Sequence, residues 1–458
     1  MNTTYDVRVW AIQINKRASG RKTYTVRWKV GKRPPFKETF QTKPLADSFR
    51  SDLVSAMRRG EPFDLATGRP VSMVRVDGNI PWLHFACDYV DMKWPTAAAT
   101  YRRSIAEALM TATCSMFKSD RGRPDGRVLR SALFRWAFNT QQRDRADRPE
   151  EIAEALQWME RNSRPVSDLA DPEVLRPVMN ALAQKLNGEP AGPTVVNRKR
   201  AVLYNAAEYA VERNLLDKNP VPDLKWKAPK VTHQVDKRSV ANPVQVRTLL
   251  NAVRKVKRSG PLLVACYACT YYSALRPEEA INLRRHNVVL PQEDTEWGEF
   301  QLERAAPHAG KEWTNNGRAR DERGLKHRGP DDVRSVPIPP ELVAILRAHL
   351  AKYGTDPDGR LFVGERGGEV PVITYNRVWR TARAATFVPE VLASPLAENP
   401  YSLRHACVST WLNGGVPATQ VAEWAGHSVE VLLSVYAKCL HGQDQAARRR
   451  IESALRGE

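Results

Sequence analysis

Alternation of apolar and polar residues, which is typical of β-strands, is concentrated in the first 45 residues of this 458-residue chain. It occurs in the segments VRVWAIQI, KTYTVRWKV and FKETFQT, which are separated by turns rich in Gly, Lys and Arg. A segment with helical periodicity, LADSFRSDLVSAMRRG, follows them. This pattern predicts a small three-stranded sheet with one helix packed on it, ahead of a longer, mainly helical region.

The chain is too long for one ordinary core, because domains commonly contain about 100 to 200 residues. Two polar segments, near residues 60–78 and at 225–243, have the composition of linkers. We therefore expect a multidomain, mainly α protein with small β elements. Its expected parts are a sheet domain with its linker at 1–75, a helical domain at 76–231 and an α+β domain at 232–458.

Positive charge is abundant and unevenly distributed. The chain has 71 Lys and Arg against 51 Asp and Glu, and residues 1–60 contain 14 of the former and only four of the latter. Such a surplus favours a polyanionic partner, although ribosomal proteins and membrane-surface helices are also basic. We predict DNA contacts by cations on the N-terminal strands and near the start of a helix after Pro193, with a solvated charged face as the alternative. These residues are Arg8, Lys16, Arg17, Arg27 and Lys29 on the strands, and Arg198, Lys199 and Arg200 on the helix.

The sequence favours a reduced, cytoplasmic protein with no membrane partner. We find neither a signal-peptide core at the N-terminus nor an uncharged stretch long enough to cross a bilayer. The six cysteines are too few and too scattered for a disulfide framework. Cys266 and Cys269 form a CxxC inside an apolar run, which favours buried packing over a zinc site, and no metal site is expected.

Five residues in the second half of the chain have side chains suited to phosphodiester chemistry. An arginine can bind two phosphate oxygens, a histidine can donate to another, and a phenol can attack phosphorus once the phosphate charge is neutralised. Taken singly, each also has a structural interpretation, such as an ion pair, a helix cap or a core aromatic. They are Arg276 (YYSALRPEEAINL), Lys326 (GLKHRGPDDVRSVPIP), Arg404 (PYSLRHACVSTWL), His427 (AGHSVEVLL) and Tyr436 (LLSVYAKCL).

The order and spacing of these residues resemble the catalytic domain of the tyrosine recombinases, the phage integrase family. The resemblance covers roughly residues 240–445, and the N-terminal strands are similar to the arm-type DNA-binding domain of many integrases. It implies a helical core-binding DNA clamp and an α+β catalytic domain. By resemblance, Arg276 and Arg404 clamp the scissile phosphate and His427 donates to a non-bridging oxygen. Lys326 protonates the departing 5′ oxygen, Tyr436 is the nucleophile, and no cofactor is required.

The sequence departs from the family pattern at two places. Tyr401 stands where the family commonly has the first histidine of HxxR, and a phenol with a pKa near 10 is a poor base at neutral pH. His405 is an adjacent candidate for assisting Tyr436. The loop that contains Lys326 places it eleven residues before Pro337, and Lys311 is a less favoured substitute.

The resemblance implies a site-specific recombinase that integrates, and can excise, a mobile element such as a temperate phage or an integrative element. Its implied partners are double-stranded DNA attachment sites, three further copies of itself in a homotetramer on DNA, an excisionase and a DNA-bending host protein. Its implied location is the cytoplasm, in association with the nucleoid. The alternatives are an Xer-like resolvase or type IB topoisomerase, which share the phosphotyrosine chemistry, and a non-catalytic DNA-binding regulator.

Overall fold

The computed structural model describes residues 3–16, 22–73, 80–231, 234–325, 329, 332–436, 439 and 443–456. The chain divides into two compact units. The first comprises Met1–Thr96 with Ser104–Pro229, and the second comprises Ala97–Arg103 with Lys230–Glu458. The expected mainly α fold with small β elements is confirmed, while the division into three domains at 75 and 231 stays a prediction.

The first unit begins with an antiparallel sheet backed by one helix. Its long strand pairs with two short strands along one edge and with a single strand along the other. The predicted first strand is therefore divided in two, and the sheet is three strands wide. The elements are β1 (Thr3–Thr4), β2 (Val7–Val9), β3 (Gln13–Lys16), β4 (Lys22–Val30), β5 (Phe36–Phe40), α1 (Lys43–Arg58) and β6 (Phe63–Asp64).

The alternating pattern of β4 explains how this sheet is attached to its helix. Val26, Trp28 and Val30 are buried on one face, where Leu53 of α1 packs against them. The intervening residues of β4 are exposed on the other face. The sheet thus has one apolar face against the helix and one polar face toward solvent.

Helices make up most of the rest of the first unit. The longest has the buried stripe that its periodicity predicts, including Val196, Leu203, Ala207 and Ala210. The helices are α2 (Trp82–Lys93), α3 (Ala99–Thr113), α4 (Gly126–Ser131), α5 (Glu150–Asn162), α6 (Pro172–Leu182) and α7 (Pro193–Glu212), with a π-helical turn after α4. The first turn of α3, up to Arg103, belongs to the second unit.

The second unit packs helices around α9, which is buried along nearly its whole length. Cys266 and Cys269 lie in this helix as buried free thiols, as predicted. A three-stranded antiparallel sheet of order β11-β8-β7 adjoins the helices. The helices before the sheet are α8 (Pro243–Lys255), α9 (Ser259–Tyr272) and α10 (Pro277–Ile281). The strands are β7 (Val288–Val289), β8 (Gly298–Leu302), β9 (Arg304–Ala305), β10 (Arg323–Gly324) and β11 (Arg334–Ile338).

The C-terminal helices of the second unit and the residues next to them contain four of the predicted catalytic residues, namely Tyr401, Arg404, His427 and Tyr436. They are α11 (Pro340–Tyr353), α12 (Val372–Thr386), α13 (Pro389–Leu392), α14 (Ser402–Asn413), α15 (Ala418–Ala425), α16 (Val429–Tyr436) and α17 (Gln443–Arg456). Helices α14, α15 and α16 pack around a small second core. Within the described ranges, no helix combines the length and apolar character needed to cross a membrane.

Candidate active site

Arg276 leaves the buried helix α9 and forms the N-cap of α10, where three contacts fix it. Its Nη1 lies 2.7 Å from Oε1 of Glu279, and its backbone N–H donates to the other carboxylate oxygen over 2.9 Å. Its Nη2 donates to the carbonyl of Gly426 over 2.6 Å. The RxxE spacing of Arg276 and Glu279 therefore sets the direction of this guanidinium group.

A second arginine, Arg334, binds the same carboxylate and was missed by the sequence analysis. Its side chain is fully buried, and its Nη1 and Nη2 lie 3.1 and 2.6 Å from the two oxygens of Glu279. Burial alone would raise the pKa of Glu279, but the charges of Arg334 and Arg276 outweigh it and lower that pKa to about 2. The sequence signal was an arginine two positions before Val336 in the segment RSVPI, whose alternate residues are buried in a strand.

Arg404, on the first turn of α14, is completely buried and connects three segments of the unit. Its Nη1 donates to the carbonyl of Ala274, two residues before Arg276, and its Nη2 donates to the carbonyl of Ala425. The same Nη2 lies 2.9 Å from Nε2 of His427. Arg404 thus brings the end of α9 and the α15–α16 turn together.

His427 is held in a defined protonation state by this contact. Because an arginine can only donate, Nε2 of His427 accepts, and the ring proton resides on Nδ1. Burial and the charges of Arg404 and Arg276 lower the pKa of His427 to about 3, so the ring is neutral at pH 7. Among the described residues, the buried Nδ1 has no hydrogen-bond partner. It is therefore a donor available to a ligand oxygen.

The glycine before this histidine has a steric role. Gly426 ends α15 in the left-handed conformation, with φ of 67°, which favours glycine. A Cβ at this position would collide with the guanidinium group of Arg334 and would lie 3.2 Å from Nη1 of Arg276. The absence of a side chain at Gly426 thus allows both arginines to approach the turn closely.

Tyr436 ends α16 and is fully buried, so burial raises the pKa of its phenol. Its ring is stacked on that of His427, with centroids 6.3 Å apart. Its Oη lies 2.8 Å from Nδ1 of His405, which is in the first turn of α14. The phenol oxygen therefore contacts His405, while the ring of the same side chain stacks on His427. The contact with His405 was weighed in the sequence but had no motif to support it.

Tyr401 lies at the start of α14, where the family pattern has its first histidine. It is half-buried, and its ring meets that of His405 edge to face with centroids 5.0 Å apart. The tyrosine thus contacts the histidine that binds Tyr436.

Several predicted residues cannot be placed with the others. Arg17, Lys326 and the side chain of Lys16 lie outside the described residues. Lys311, the less favoured substitute for Lys326, is exposed in a 3-10 turn. The assignments of Lys16, Arg17 and Lys326 therefore stay predictions.

The solvent face of the N-terminal sheet contains four cations in two cross-strand pairs. Arg8 pairs with Lys29 across β2 and β4, and Arg27 pairs with Lys37 across β4 and β5. All four residues are exposed. The guanidinium carbons of Arg8 and Arg27 lie 6.0 and 5.7 Å from the ring centroid of Trp10. Lys37 was not among the predicted residues, although it alternates with the apolar residues of β5.

The three predicted cations of α7 differ in exposure. Arg198 is exposed and forms a 3.1 Å ion pair with Glu107, while Arg200 is half-buried. Lys199 is buried, with its Nζ 3.3 Å from Oγ1 of Thr111 and 3.5 Å from Oε1 of Glu107. A role of Lys199 in DNA contact stays a prediction, and its side chain is bound within the unit.

Comparison with known proteins gives one match in sequence and several in structure. No family model matches the chain. A tyrosine recombinase XerC of Nitrobacter winogradskyi is 24% identical over 174 residues, which are 38% of this chain and 44% of the relative. The match thus spans less than half of that relative's length.

The structural matches include integrases solved with DNA. The Tn1549 transposon integrase in complex with circular intermediate DNA has a TM-score of 0.46 and 17% identity, covering 69% of this chain and 97% of the other. A lambda integrase dimer bound to a COC' core site has a TM-score of 0.46 and 10% identity, covering 91% of each chain. The sequence match and the assembled arginines, histidine and tyrosine relate this chain to the tyrosine recombinase family.

Proposed function

We propose that this protein is a site-specific DNA recombinase that cleaves and rejoins DNA through a 3′-phosphotyrosyl intermediate, and that it integrates and excises a mobile element. One observation supports this most strongly: residues from separate segments converge. Arg404 binds the carbonyl two residues before Arg276 and also binds His427, whose ring stacks on Tyr436. Sequence order alone does not require these contacts.

The cluster has the charge that a phosphodiester requires. Two guanidinium groups, those of Arg276 and Arg334, bind the carboxylate of Glu279, and the charge of Arg404 also lowers the pKa of that carboxylate. Among the described residues, the buried Nε atoms of Arg334 and Arg404 lack hydrogen-bond partners, as does Nδ1 of His427. An unpaired buried donor costs about 1–3 kcal/mol, and a bound phosphate offers oxygens to such donors. Donors fixed in advance also stabilise the charge that develops on phosphorus.

In the proposed reaction, Oη of Tyr436 attacks the scissile phosphorus as the bond to the 5′ oxygen breaks. Arg276 and Arg404 bind the phosphate oxygens, and His427 donates its Nδ1 proton to a non-bridging oxygen. Lys326 is assigned the protonation of the 5′ oxygen. The new phosphotyrosine bond conserves the energy of the broken ester, so a 5′-hydroxyl of the partner strand can reverse the step.

The basic face of the N-terminal sheet is proposed to bind the DNA backbone at arm-type sites. Like charges directly opposite on neighbouring strands destabilise a sheet, and this face has two such pairs, Arg8 with Lys29 and Arg27 with Lys37. A phosphate backbone would neutralise them. Arg198 and Arg200 of α7 are proposed to contribute to the helical DNA clamp.

The proposed assembly is a homotetramer that holds two DNA duplexes at their attachment sites. A directionality factor of the excisionase type and a DNA-bending protein are proposed as its accessory partners. Size measurement of the complex on DNA, by sedimentation, tests the stoichiometry. A complex that contains fewer than four copies during strand exchange would contradict it.

The covalent intermediate gives the decisive test. The full-length protein is incubated with a duplex library whose central segment is randomised, protein-linked DNA is recovered, and the modified residue is identified by mass spectrometry. We expect a 3′-phosphotyrosyl link at Tyr436. The variant Tyr436→Phe should bind the same DNA without forming adducts, whereas the control Tyr353→Phe, in α11, should form them at the wild-type rate. Adducts that persist in Tyr436→Phe would overturn the assignment.

The sequence of the recovered DNA, used in plasmid assays, also distinguishes the proposed recombinase from enzymes and regulators of related activity. A recombinase of a mobile element should link to one sequence and join two such sites in a plasmid. A type IB topoisomerase would instead relax supercoiled plasmids that lack this sequence, and a non-catalytic regulator would bind without linking. A recovered sequence that matches a site in the replication terminus of the host chromosome would indicate a resolvase.

A further inference from the structure

The nucleophile of the proposed reaction is bound by a histidine that the motif does not assign. Oη of Tyr436 lies 2.8 Å from Nδ1 of His405, with the ring centroids 5.6 Å apart. His427, the motif histidine, instead uses its Nε2 for Arg404. The two histidines thus have separate partners, one at the phosphate-binding guanidinium group and one at the phenol.

The protonation states of this pair fit a donor phenol and an acceptor imidazole. Burial raises the pKa of Tyr436, so its hydroxyl retains its proton at neutral pH. Burial and the charge of Arg404 lower the pKa of His405 to about 4, which leaves the ring neutral. In the tautomer with its proton on Nε2, Nδ1 has a free lone pair for the phenol proton. A phosphate anion beside Arg404 would offset the arginine's charge and make His405 more basic.

Tyr401 cannot fill this role from its own position as a histidine would. It has a phenol in place of an imidazole, and its ring contacts His405 with centroids 5.0 Å apart. An imidazole one helical turn further along α14 therefore lies at the hydroxyl that reacts. This chain thus lacks an imidazole at position 401 and has one in contact with Tyr436 at position 405.

We propose that His405 is the general base of the strand-cleavage step and accepts the proton of Tyr436 in place of the histidine that Tyr401 replaces. This inference depends on the proposed recombinase function. As the bond from Oη to phosphorus forms, the phenol proton moves to Nδ1 of His405. The bond from phosphorus to the 5′ oxygen breaks, and that oxygen takes a proton from Lys326. When the strand is rejoined, both protons return.

The surroundings of His405 offer its proton a route to solvent. His405 lines a cavity of 250 Å³ together with Asp236, Glu398 and Val435. A water molecule needs only a small fraction of this volume.

The test compares variants of position 405 on two substrates. The first is the DNA site recovered by adduct formation, and the second is the same site with sulfur in place of the bridging 5′ oxygen. Sulfur leaves without protonation, so the second substrate needs a base but no acid. His405→Ala and His405→Asn should both form adducts more slowly by roughly 10²- to 10⁴-fold on either substrate. Lys326→Ala should be slow on the first substrate only.

Two further comparisons separate base catalysis from packing. Added imidazole should accelerate His405→Ala, which has a space for it, and should not accelerate His405→Asn, whose side chain partly fills that space. His286→Asn, at an exposed histidine of the same unit, should match the wild type. DNA affinity should be unchanged in all of these variants, because the proton transfer follows binding.

The outcomes distinguish this inference from the proposed function. Adduct formation by His405→Asn at the wild-type rate would overturn the role of His405 and leave Tyr436 as the nucleophile. Recovery of His405→Ala or His405→Asn on the sulfur substrate would also overturn it, because the defect would then lie in leaving-group protonation. A wild-type protein that forms no adduct at all would overturn both proposals.

Discussion

The buried cluster of Arg276, Arg334 and Arg404 and the N-terminal sheet each concentrate positive charge, but they hold it in opposite ways. Arg404 and Arg334 are 0% and 1% exposed, and their guanidinium groups bind carbonyl and carboxylate oxygens of the protein. The cations of the sheet, such as Arg8 and Lys29, are exposed and face each other. The first arrangement fixes the direction of each guanidinium group. The second leaves the cationic side chains able to adjust to the phosphates of a bound polyanion.

The difference matches two tasks in the proposed function. Catalysis requires donors held at fixed positions where charge develops, and burial strengthens each interaction because water is excluded. Backbone binding requires many approximate contacts whose affinity comes from counterion release. A single carboxylate, Glu279, organises two of the buried arginines, so the cluster depends on one residue in a way that the sheet does not.

The largest effect on folding is expected for Glu279→Gln. The substitution leaves Arg276 and Arg334 buried without their counter-charge, and breaking a buried ion pair costs about 3–5 kcal/mol. Hydrogen exchange of α9 backbone amides should report a loss of this size in the free energy of unfolding of the second unit. The matched control is Glu38→Gln in the sheet, which breaks the half-exposed 2.7 Å pair with Arg69 and should cost about 1 kcal/mol or less.

Equal losses of unfolding free energy in Glu279→Gln and Glu38→Gln would contradict the difference between the buried cluster and the sheet. If Glu279→Gln protected α9 as well as the wild type does, the arginines would have to hold their positions through carbonyl contacts alone. The same variant should also lower adduct formation, because the direction of Arg276 depends on this carboxylate.

Acid should weaken the cluster over a defined pH range. The pKa of Glu279 is lowered from its ordinary 4.5 to about 2, so its stabilising contribution is complete above about pH 4.5 and is lost as the pH falls toward 2. Hydrogen exchange of α9 measured across this range should show falling protection in the wild type and a smaller fall in Glu279→Gln. An equal fall in both proteins would assign the acid sensitivity to other carboxylates.

Local patterns predicted the elements of the cluster better than its contacts. Arg276 follows the apolar run of α9 and His427 follows the glycine that ends α15, so both lie at boundaries that periodicity and capping set within a few residues. The contact of Tyr436 with His405 joins residues 31 positions apart, and that of Arg334 with Glu279 joins residues 55 apart. Such contacts are set by how helices and strands pack on one another, which the sequence pattern does not specify.

The sheet shows the same limit on a smaller scale. Alternation correctly predicted that Arg27 and Lys29 face solvent from β4. It did not predict the break between β2 and β3, because the segment VRVWAIQI reads as one continuous strand. Nor did it predict the pairing of Arg27 with Lys37, which depends on the register of two strands.

The smallest effect on folding, and a selective effect on binding, is expected for the combined variant Arg8→Gln, Arg27→Gln and Lys29→Gln. Removing like charges from opposed positions should leave the sheet unchanged in stability or more stable by less than about 1 kcal/mol, measured by hydrogen exchange of β4. Each lost phosphate contact lowers the magnitude of the slope of log affinity against log salt by about 0.9, so the variant should lose about 3.

Arg69→Gln serves as the control, because this arginine of the same unit is already paired with Glu38. It should leave the salt slope unchanged. Strand cleavage on a DNA site without the arm sequence should also be unchanged in the combined variant, since the buried cluster lies in the second unit. A combined variant that kept the full salt slope would show that the sheet does not bind the backbone. A loss of cleavage on the site without the arm sequence would show that the cations of the sheet also contribute to cleavage, and not to backbone binding alone.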